Sequence, residues 1–222
     1  MKNIFLLVCF IMIAGMTANA QVSARMFRTP DVSQTQIVFS YGGDIWIVDK
    51  MGGTASKLSS PSGAEGFPRF SPDGSKVAFS GNYDGNYDVY VIPNQGGVPT
   101  RVTYHGMGDR LVDWYPTGDQ LLYTSSRESG KQRFAQFYKV DAAGGVSEKL
   151  PMAYGEYGSL SADAKQIAFN ERSVLNDTWK RYRGGSNGNI WIFDLTTLAS
   201  TNITNTNAGC ELPMLHQDRI YY

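Results

Sequence analysis

Catalysis and metal binding usually depend on histidine, cysteine or paired carboxylate side chains. In this chain such residues are few and scattered. His105 and His216 belong to no HExxH or i, i+4 pair, and no GxSxG, P-loop or GxGxxG motif occurs. The segment DGNYD (84–88) resembles the start of a calcium loop, but Val89 and Gln95 stand where that loop needs glycine and glutamate. We therefore predict no catalytic residue and no metal or cofactor site in the chain, with His105 in a connecting loop.

One segment stands out by its chemistry. WKRYRGG (179–185) combines three cations with two aromatic side chains. Guanidinium groups such as those of Arg181 and Arg183 offer fork-shaped pairs of donors that match a carboxylate. Trp179 and Tyr182 are amphipathic and can hold such a segment against a protein surface. We predict that Arg181 and Arg183 bind an anionic substrate group; the alternative is that they pair with acidic neighbours or pack against another domain.

The position of this segment predicts a protruding loop. Between the apolar runs ending at Asn170 and starting at Asn189 there are 18 residues, whereas three residues separate Ser40 from Asp44 in the corresponding place earlier in the chain. A loop or extended hairpin must therefore protrude there.

Apolar runs recur along the chain at a nearly constant interval. QIVFS, KVAFS, QLLYT, QIAFN and RIYY follow one another at spacings of 40, 44, 46 and 53 residues. Each of the first four precedes a second apolar run: DIWIVD, DVYVIP, QFYKVD and NIWIFD. Glycine pairs and turns such as SPDG separate the runs, because proline presets φ and glycine accepts a positive φ. The pattern predicts repeated units of four short strands.

A repeat of about 45 residues with four strands is typical of a β-propeller. A β-sandwich is the alternative, but sandwiches do not repeat the same turn chemistry at a fixed interval. The predicted fold class is all-β: an incomplete β-propeller with four-stranded blades, about four blades plus the start of a fifth. Phe39, Phe79, Tyr123 and Phe169 fall at equivalent positions of the four blades and are expected in the core.

The N-terminal 20 residues have the pattern of a signal peptide. Lys2 precedes an apolar run at 4–16, and ANA at 18–20 supplies the small residues of a cleavage site. The run is too short to span a bilayer comfortably. We expect residues 1–20 to be removed, residues 21–222 to fold, and no membrane span to remain after cleavage. A retained anchor is the alternative.

Charge and cysteine content exclude some classes of partner and one kind of cross-link. Lys plus Arg and Asp plus Glu are equal at 20 each, so no overall basic field recruits nucleic acid or anionic lipid. Removal of the leader takes Cys9 with it and leaves Cys210 alone, which excludes an internal disulfide. The last run, at 219–222, breaks off within a strand, whereas propellers close with four to eight blades. We expect residues 21–222 to be the N-terminal part of a first propeller, with further domains downstream.

Several stretches resemble known families. FSPDGSKVAFS (70–80) resembles the blades of bacterial TolB-type propellers. HGMGDRLVDWYPTGDQLLYTSSRESGKQRFAQFYKV (105–140), LPMAYGEYGSLSADAKQIAFNE (150–171) and the WKRYRGG segment resemble the first propeller of the tricorn protease family. The resemblance covers essentially all of residues 21–222. That family has two successive propellers, a PDZ-like module and a serine-protease domain, often assembled into rings.

The resemblance implies a parent hydrolase that cleaves peptides with a serine nucleophile lying outside this chain. The expected partners are peptide substrates, the downstream propeller, PDZ-like and protease domains, and further copies in a homo-oligomer. The anion for Arg181 and Arg183 is then a peptide's C-terminal carboxylate. The archaeal archetype is cytoplasmic, whereas the leader here favours a periplasmic or secreted protein. The alternatives are a TolB-like envelope-binding propeller without enzymatic activity, or a propeller fused to another hydrolase such as a prolyl-oligopeptidase-type domain.

Overall fold

The computed structural model describes residues 26–130, 134–173, 184, 187–206 and 208–222. These residues form four four-stranded antiparallel sheets and one two-stranded sheet, which follow one another along the chain as blades 1 to 5. Blade 1 contains β1 (Arg28–Val32), β2 (Gln36–Tyr41), β3 (Asp44–Asp49) and β4 (Ser56–Lys57). Blade 2 contains β5 (Ala64–Phe70), β6 (Lys76–Asn82), β7 (Asp88–Pro93) and β8 (Thr100–Arg101).

The later blades repeat this order. Blade 3 contains β9 (Asp109–Trp114), β10 (Gln120–Ser125), β11 (Gln136–Asp141) and β12 (Glu148–Lys149). Blade 4 contains β13 (Tyr157–Leu160), β14 (Gln166–Asn170), β15 (Ile190–Asp194) and β16 (Ser200–Asn202), and the partial blade 5 contains β17 (Met214–His216) and β18 (Arg219–Tyr221). In every complete blade, neighbours in sequence are neighbours in the sheet. The propeller predicted from the repeat is confirmed, with four blades and two strands of a fifth.

The two middle strands of each blade carry the core. The predicted core residues Phe39, Phe79, Tyr123 and Phe169 are all buried. Each faces a second aromatic residue on the next strand of its own blade; these partners are Trp46, Tyr90, Tyr138 and Trp191. Such cross-strand aromatic pairs stabilise a sheet and fix its register. The same pair in four blades explains why the repeat was visible in the sequence.

Neighbouring blades pack face to face through three apolar clusters. One lies between blades 1 and 2, where Val38 and Ile45 meet Phe70 and Phe79. The next joins blades 2 and 3, and the third joins blades 3 and 4. Because side chains alternate across a strand, each blade supplies one face to the preceding cluster and the other face to the following one. The second strand of each blade therefore carries three consecutive apolar residues: IVF, VAF, LLY and IAF in β2, β6, β10 and β14.

The turn after the first strand keeps its geometry in blades 2, 3 and 4 while its sequence changes. In blade 2, Asp73 accepts hydrogen bonds from the hydroxyl of Ser71 at 2.6 Å and the N–H of Ser75 at 3.0 Å, which lower the pKa of its carboxyl to about 2. Gly74 then takes φ 71°, and Ala164 takes φ 56° in the corresponding turn of blade 4. The turn that looks degenerate in sequence, LSADAKQ, is thus formed in the structure.

The part of the chain that the structure describes contains no α-helix. Within that part, no helix long and apolar enough to cross a membrane is found.

Candidate functional site: the axial cavity

The first strands of the blades converge on a common axis. β1, β5, β9 and β13 each form one edge of a complete blade, and β17 continues the series in blade 5. The residue three positions before the end of each of the first four strands, together with its counterpart ahead of β17, faces the same cavity. We call this set the axial ring: Thr29, Phe67, Leu111, Tyr157 and Leu212.

Three members of the axial ring have a strained backbone. Thr29, Phe67 and Leu212 have φ values of 45°, 55° and 56°, in the left-handed region that residues with a β-carbon seldom occupy. Each precedes a proline, and these prolines are Pro30, Pro68 and Pro213. A non-glycine residue held at such an angle costs of order 1 to 2 kcal/mol. The same strain at three equivalent positions is a property of the repeat.

Bulges in the sheet accompany this conformation. In blade 1 the pair Thr29–Pro30 lies opposite the single residue Phe39, and in blade 2 the pair Phe67–Pro68 lies opposite Phe79. β9 has one extra residue at Val112, whereas β13 pairs with β14 without a break in register. A bulge bends its strand and turns a side chain away from its regular direction. The bulges therefore account for the ring residues that leave the sheet and face the axis.

The axial cavity has a volume of about 250 Å³. Besides the axial ring, its walls include the adjoining residues Pro30, Val112, Gly158, Pro213 and Met214. Only Arg69 brings a charged side chain to the lining. Leu212 and Met214 are 41% and 57% exposed, so they form an open rim, while Leu111 and Tyr157 are buried in the wall. The cavity is thus apolar, accessible from one side, and formed by all five blades.

A partly buried cation, Arg110, braces the aromatic wall. The guanidinium of Arg110 lies 4.0 Å from the ring centre of Tyr157 and 5.6 Å from that of Phe67, and it donates a hydrogen bond to the carbonyl of Glu156. Burial lowers the pKa of Arg110. Its Nε atom is buried without a hydrogen-bond partner. Cation–π contacts of this kind are stronger when desolvated, so Arg110 holds the two rings in place.

Charged side chains collect at one end of the cavity. Asp31, Arg69 and Asp113 occupy the second-to-last position of β1, β5 and β9. Asp31 accepts the N–H of Phe70 at 2.7 Å, and Asp113 accepts that of Leu160 at 3.4 Å, so each carboxylate caps the first strand of the next blade. Across the three strands, this second-to-last position carries two acidic side chains and one basic side chain.

Within this group of charged side chains, Asp113 has a shifted pKa. Burial raises the pKa of its carboxyl to about 6, against the opposing influence of Arg69, and the charge of Asp31 raises it further. Asp31 and Asp113 also line a neighbouring polar cleft of about 760 Å³, together with Asp73. The end of the axis beside the apolar cavity therefore has an acceptor-rich surface.

A second charged cluster lies between blades 2 and 3. Asp109 is fully buried and accepts two hydrogen bonds from Arg127 at 2.7 and 2.8 Å. Asp88 is also fully buried and pairs with Arg101 at 2.6 Å. Burial raises the pKa of Asp88, Arg101 opposes this, and the nearby Asp109 raises it further. Each carboxylate has its own arginine in the same blade, Asp88 with Arg101 in blade 2 and Asp109 with Arg127 in blade 3. The two pairs therefore join segments of one blade.

The residues named from the sequence fall in different places. Arg181 and Arg183 lie outside the described residues. His105 lies in the connection between blades 2 and 3, as predicted, and its Nδ1 accepts the N–H of Met107 at 3.0 Å. Asp84 and Asp88, from the calcium-like segment, both pair with Arg101. Among the described residues, no group of three or more histidine, cysteine or acidic side chains is arranged to hold a metal ion.

The axial ring was missed in the sequence because the repeat was defined on the middle strands. A signal for it exists: TPD, FPR and LPM at 29–31, 67–69 and 212–214 place proline at the same point of three units. Proline lacks an N–H donor and is confined to edges and bulges of sheets. A recurring proline just ahead of the SPDG-type turn thus marks an edge strand with a bulge.

Comparison with known families gives one match across almost the whole described region. Residues 24–222 match the family described as the tricorn protease N-terminal beta propeller domain. Tricorn protease homolog 1 of Streptomyces coelicolor is 32% identical over 168 residues, covering 74% of this chain and 15% of the relative. The putative tricorn-like protease N-terminal subunit of Sulfurisphaera tokodaii is 26% identical over 168 residues, covering 73% of this chain and 84% of that protein. The chain spans less than a fifth of the first relatives it matches.

Solved structures show the same fold. The crystal structure of the tricorn protease superposes with a TM-score of 0.75 at 24% identity, covering 88% of this chain and 20% of that one. TolB from Acinetobacter baumannii superposes with a TM-score of 0.66 at 26% identity, covering 81% and 44%. Both likenesses extend across the blades described above.

Proposed function

Because the chain belongs to the tricorn protease family, in its N-terminal β-propeller domain, we propose that it is the propeller segment of an exported serine-type peptidase. In this proposal it binds peptides along the axis and guides them to a catalytic domain outside its 222 residues. The observation that carries the proposal is the axial cavity, which is apolar, open at one side and lined by all five blades. The blades of a propeller surround a central channel, and ligand pockets are typically concave and mostly apolar.

The proposed partners follow from the relatives. A second propeller, a PDZ-like module and a serine-protease domain complete the peptidase, and copies of it form a homo-oligomer. The Sulfurisphaera tokodaii relative, named as an N-terminal subunit and matched over 84% of its length, supports a second arrangement in which the propeller is a separate polypeptide. In either arrangement the nucleophile is supplied from outside this chain.

Export is part of the proposal and rests on residues 1–20. Expression in a Gram-negative host, followed by cell fractionation and N-terminal sequencing, tests it. We expect periplasmic protein that begins at Gln21. Cytoplasmic protein that retains Met1 would refute export while leaving the peptidase assignment in place.

Arg181 and Arg183 are proposed to bind the C-terminal carboxylate of the peptide. The double variant Arg181→Ala, Arg183→Ala is compared with the wild type on peptides that differ only in a free or amidated C-terminus. The wild type should bind the free-acid peptide more tightly than the amidated one, and the double variant should bind both with the same affinity. An unchanged ratio would assign both arginines to structure.

The central experiment uses the 222-residue chain and a mixture of unlabelled unfolded peptides. Calorimetry measures binding, and mass spectrometry of the same mixture measures cleavage. We expect binding without any new peptide termini. Cleavage by the chain alone, or no binding at all, would contradict the proposed role.

A TolB-like binding propeller without enzymatic activity remains the second candidate. The 26% identity and TM-score of 0.66 to the Acinetobacter baumannii protein favour it. It predicts capture of a folded envelope protein and no affinity for unfolded peptides, so the same titration separates the two candidates.

A further inference from the structure

The axial cavity has the size of a side-chain pocket. Its volume of about 250 Å³ lies below the roughly 300 to 1,000 Å³ of sites for drug-sized ligands. An α-helix, about 10 to 12 Å across with its side chains, is too wide for it. Extended chain with one side chain turned inward matches the space.

We propose that the axial cavity binds one apolar side chain, of leucine or phenylalanine size, from an extended peptide. This inference rests on the proposed function and adds to it the class of residue that is selected. The wall is mainly apolar: Phe67, Leu111 and Tyr157 form its inner part, and Leu212 and Met214 form its rim. Burial of an apolar side chain against such a wall removes apolar surface from water and stabilises the complex.

The wall is preorganised to receive that side chain. Arg110 braces the rings of Phe67 and Tyr157, and the ring of Phe67 also lies 6.2 Å from that of Tyr157. The left-handed φ of Phe67 is kept at a cost to the fold, and such strain is concentrated at ligand sites. A rigid wall avoids the entropy loss of ordering side chains on binding.

One charged side chain adds a polar contact to the apolar wall. Arg69 lines the cavity and offers N–H donors to a main-chain carbonyl next to the inserted side chain. Asp31 and Asp113 line the neighbouring polar cleft instead of the cavity, so Arg69 is the charged group of the lining that the peptide meets.

Two exposed methionines provide a matched pair of variants. Met214 is 57% exposed and lies on the cavity rim, while Met51 is 93% exposed in the turn between β3 and β4. Met214→Trp fills the mouth of the cavity, and Met51→Trp adds the same side chain elsewhere. Met214→Glu and Met51→Glu form a second pair, which adds charge without bulk. Circular dichroism and thermal melting check that all four variants fold.

The binding assay uses four octapeptides with alanine and glycine at seven positions and leucine, phenylalanine, lysine or aspartate at the fifth. The wild type should bind the leucine and phenylalanine peptides at least about tenfold more tightly than the aspartate peptide. Met214→Trp and Met214→Glu should remove that difference, and both Met51 variants should keep it.

The outcomes separate this inference from the proposed function. Equal binding of all four peptides, or a leucine preference that survives both Met214 variants, overturns the apolar pocket and leaves peptide binding intact. Binding of none of the peptides overturns both. A preference that is lost in the Met214 pair alone supports the pocket.

Discussion

The middle strands and the first strands of the blades differ in how closely their residues repeat from blade to blade. In β2, β6, β10 and β14 the central aromatic residue recurs in every blade, is buried, and faces an aromatic partner. At the axial ring the corresponding residues are Thr, Phe, Leu, Tyr and Leu, with bulges in three strands and none in the fourth. The middle strands repeat closely, and the first strands vary.

In the proposed role, the middle strands provide stability and the first strands provide recognition. A middle strand packs on both faces, so any change in volume creates a cavity or a clash. A first strand has one edge on the axis, where a side chain meets a cavity and tolerates exchange. Variation at equivalent positions of one fold is how a repeated scaffold acquires a specific site.

The largest effect is expected from a middle strand. Phe79→Ala removes a fully buried ring from the contact between blades 1 and 2 and should lower the free energy of unfolding by roughly 4 kcal/mol. Phe67→Ala on the neighbouring first strand should cost only about 1 kcal/mol, because Phe67 is half-buried and loses mainly its contacts with Arg110 and Tyr157. Urea titration of both variants measures the difference, and equal losses would invalidate the contrast.

A somewhat smaller effect is expected from the buried ion pair. Asp109→Asn leaves Arg127 with an uncompensated charge in a largely buried place and should cost roughly 3 kcal/mol. Asp44→Asn breaks the partly exposed pair with Lys57 and should cost less than about 1 kcal/mol. If chemical denaturation gives both variants the same loss of stability, the buried pair within blade 3 stabilises the chain no more than the exposed pair within blade 1.

Asp113 makes stability depend on pH. Its carboxyl has a pKa of about 6 in the folded chain and about 3.9 when unfolded. Between these values the unfolded chain binds fewer protons, so stability should fall by roughly 2 to 3 kcal/mol as pH rises from about 4 to about 6. Asp113→Asn should remove this part of the slope. Denaturation at several pH values checks it, and identical profiles for the two proteins would contradict the assignment.

The smallest effect on stability is expected at a strained residue of the axial ring. Leu212→Asn and Leu198→Asn each place a residue that tolerates the left-handed region at φ 56° and 60°, and both leucines are partly exposed. Each should stabilise the chain by up to about 1 kcal/mol. Only Leu212 lines the cavity, so only its variant should also weaken binding of the leucine peptide. Loss of binding in both variants would show that the weaker binding does not depend on the axial cavity.

Sequence alone predicted the fold well because the middle strands repeat. Phe39, Phe79, Tyr123 and Phe169 could be aligned by eye, and the turns between strands share their chemistry. The axial ring could not be found in the same way, since Thr29 and Tyr157 have nothing in common as side chains. Their relation is their position in the first strand of each blade, which the strand pairing shows, and β1 reaches it with a bulge whereas β13 does not.

The prediction for Arg181 and Arg183 stays open. Both residues lie outside the described part of the chain, and side-chain chemistry and loop length are the features that favour an anion site there. Spacing can predict that a loop protrudes, but the direction of a guanidinium depends on packing that the sequence pattern does not encode.

Photo-crosslinking tests most directly whether the axis of this propeller receives peptides. An octapeptide with benzoylphenylalanine at its fifth position is irradiated with the 222-residue chain, and the attachment points are mapped by mass spectrometry. The account predicts attachment within 29–31, 67–69, 157–158 and 212–214, with competition by the leucine peptide and loss in Met214→Trp. Attachment confined to the outer strands β4, β8, β12 and β16, or insensitivity to the competing peptide, would contradict it.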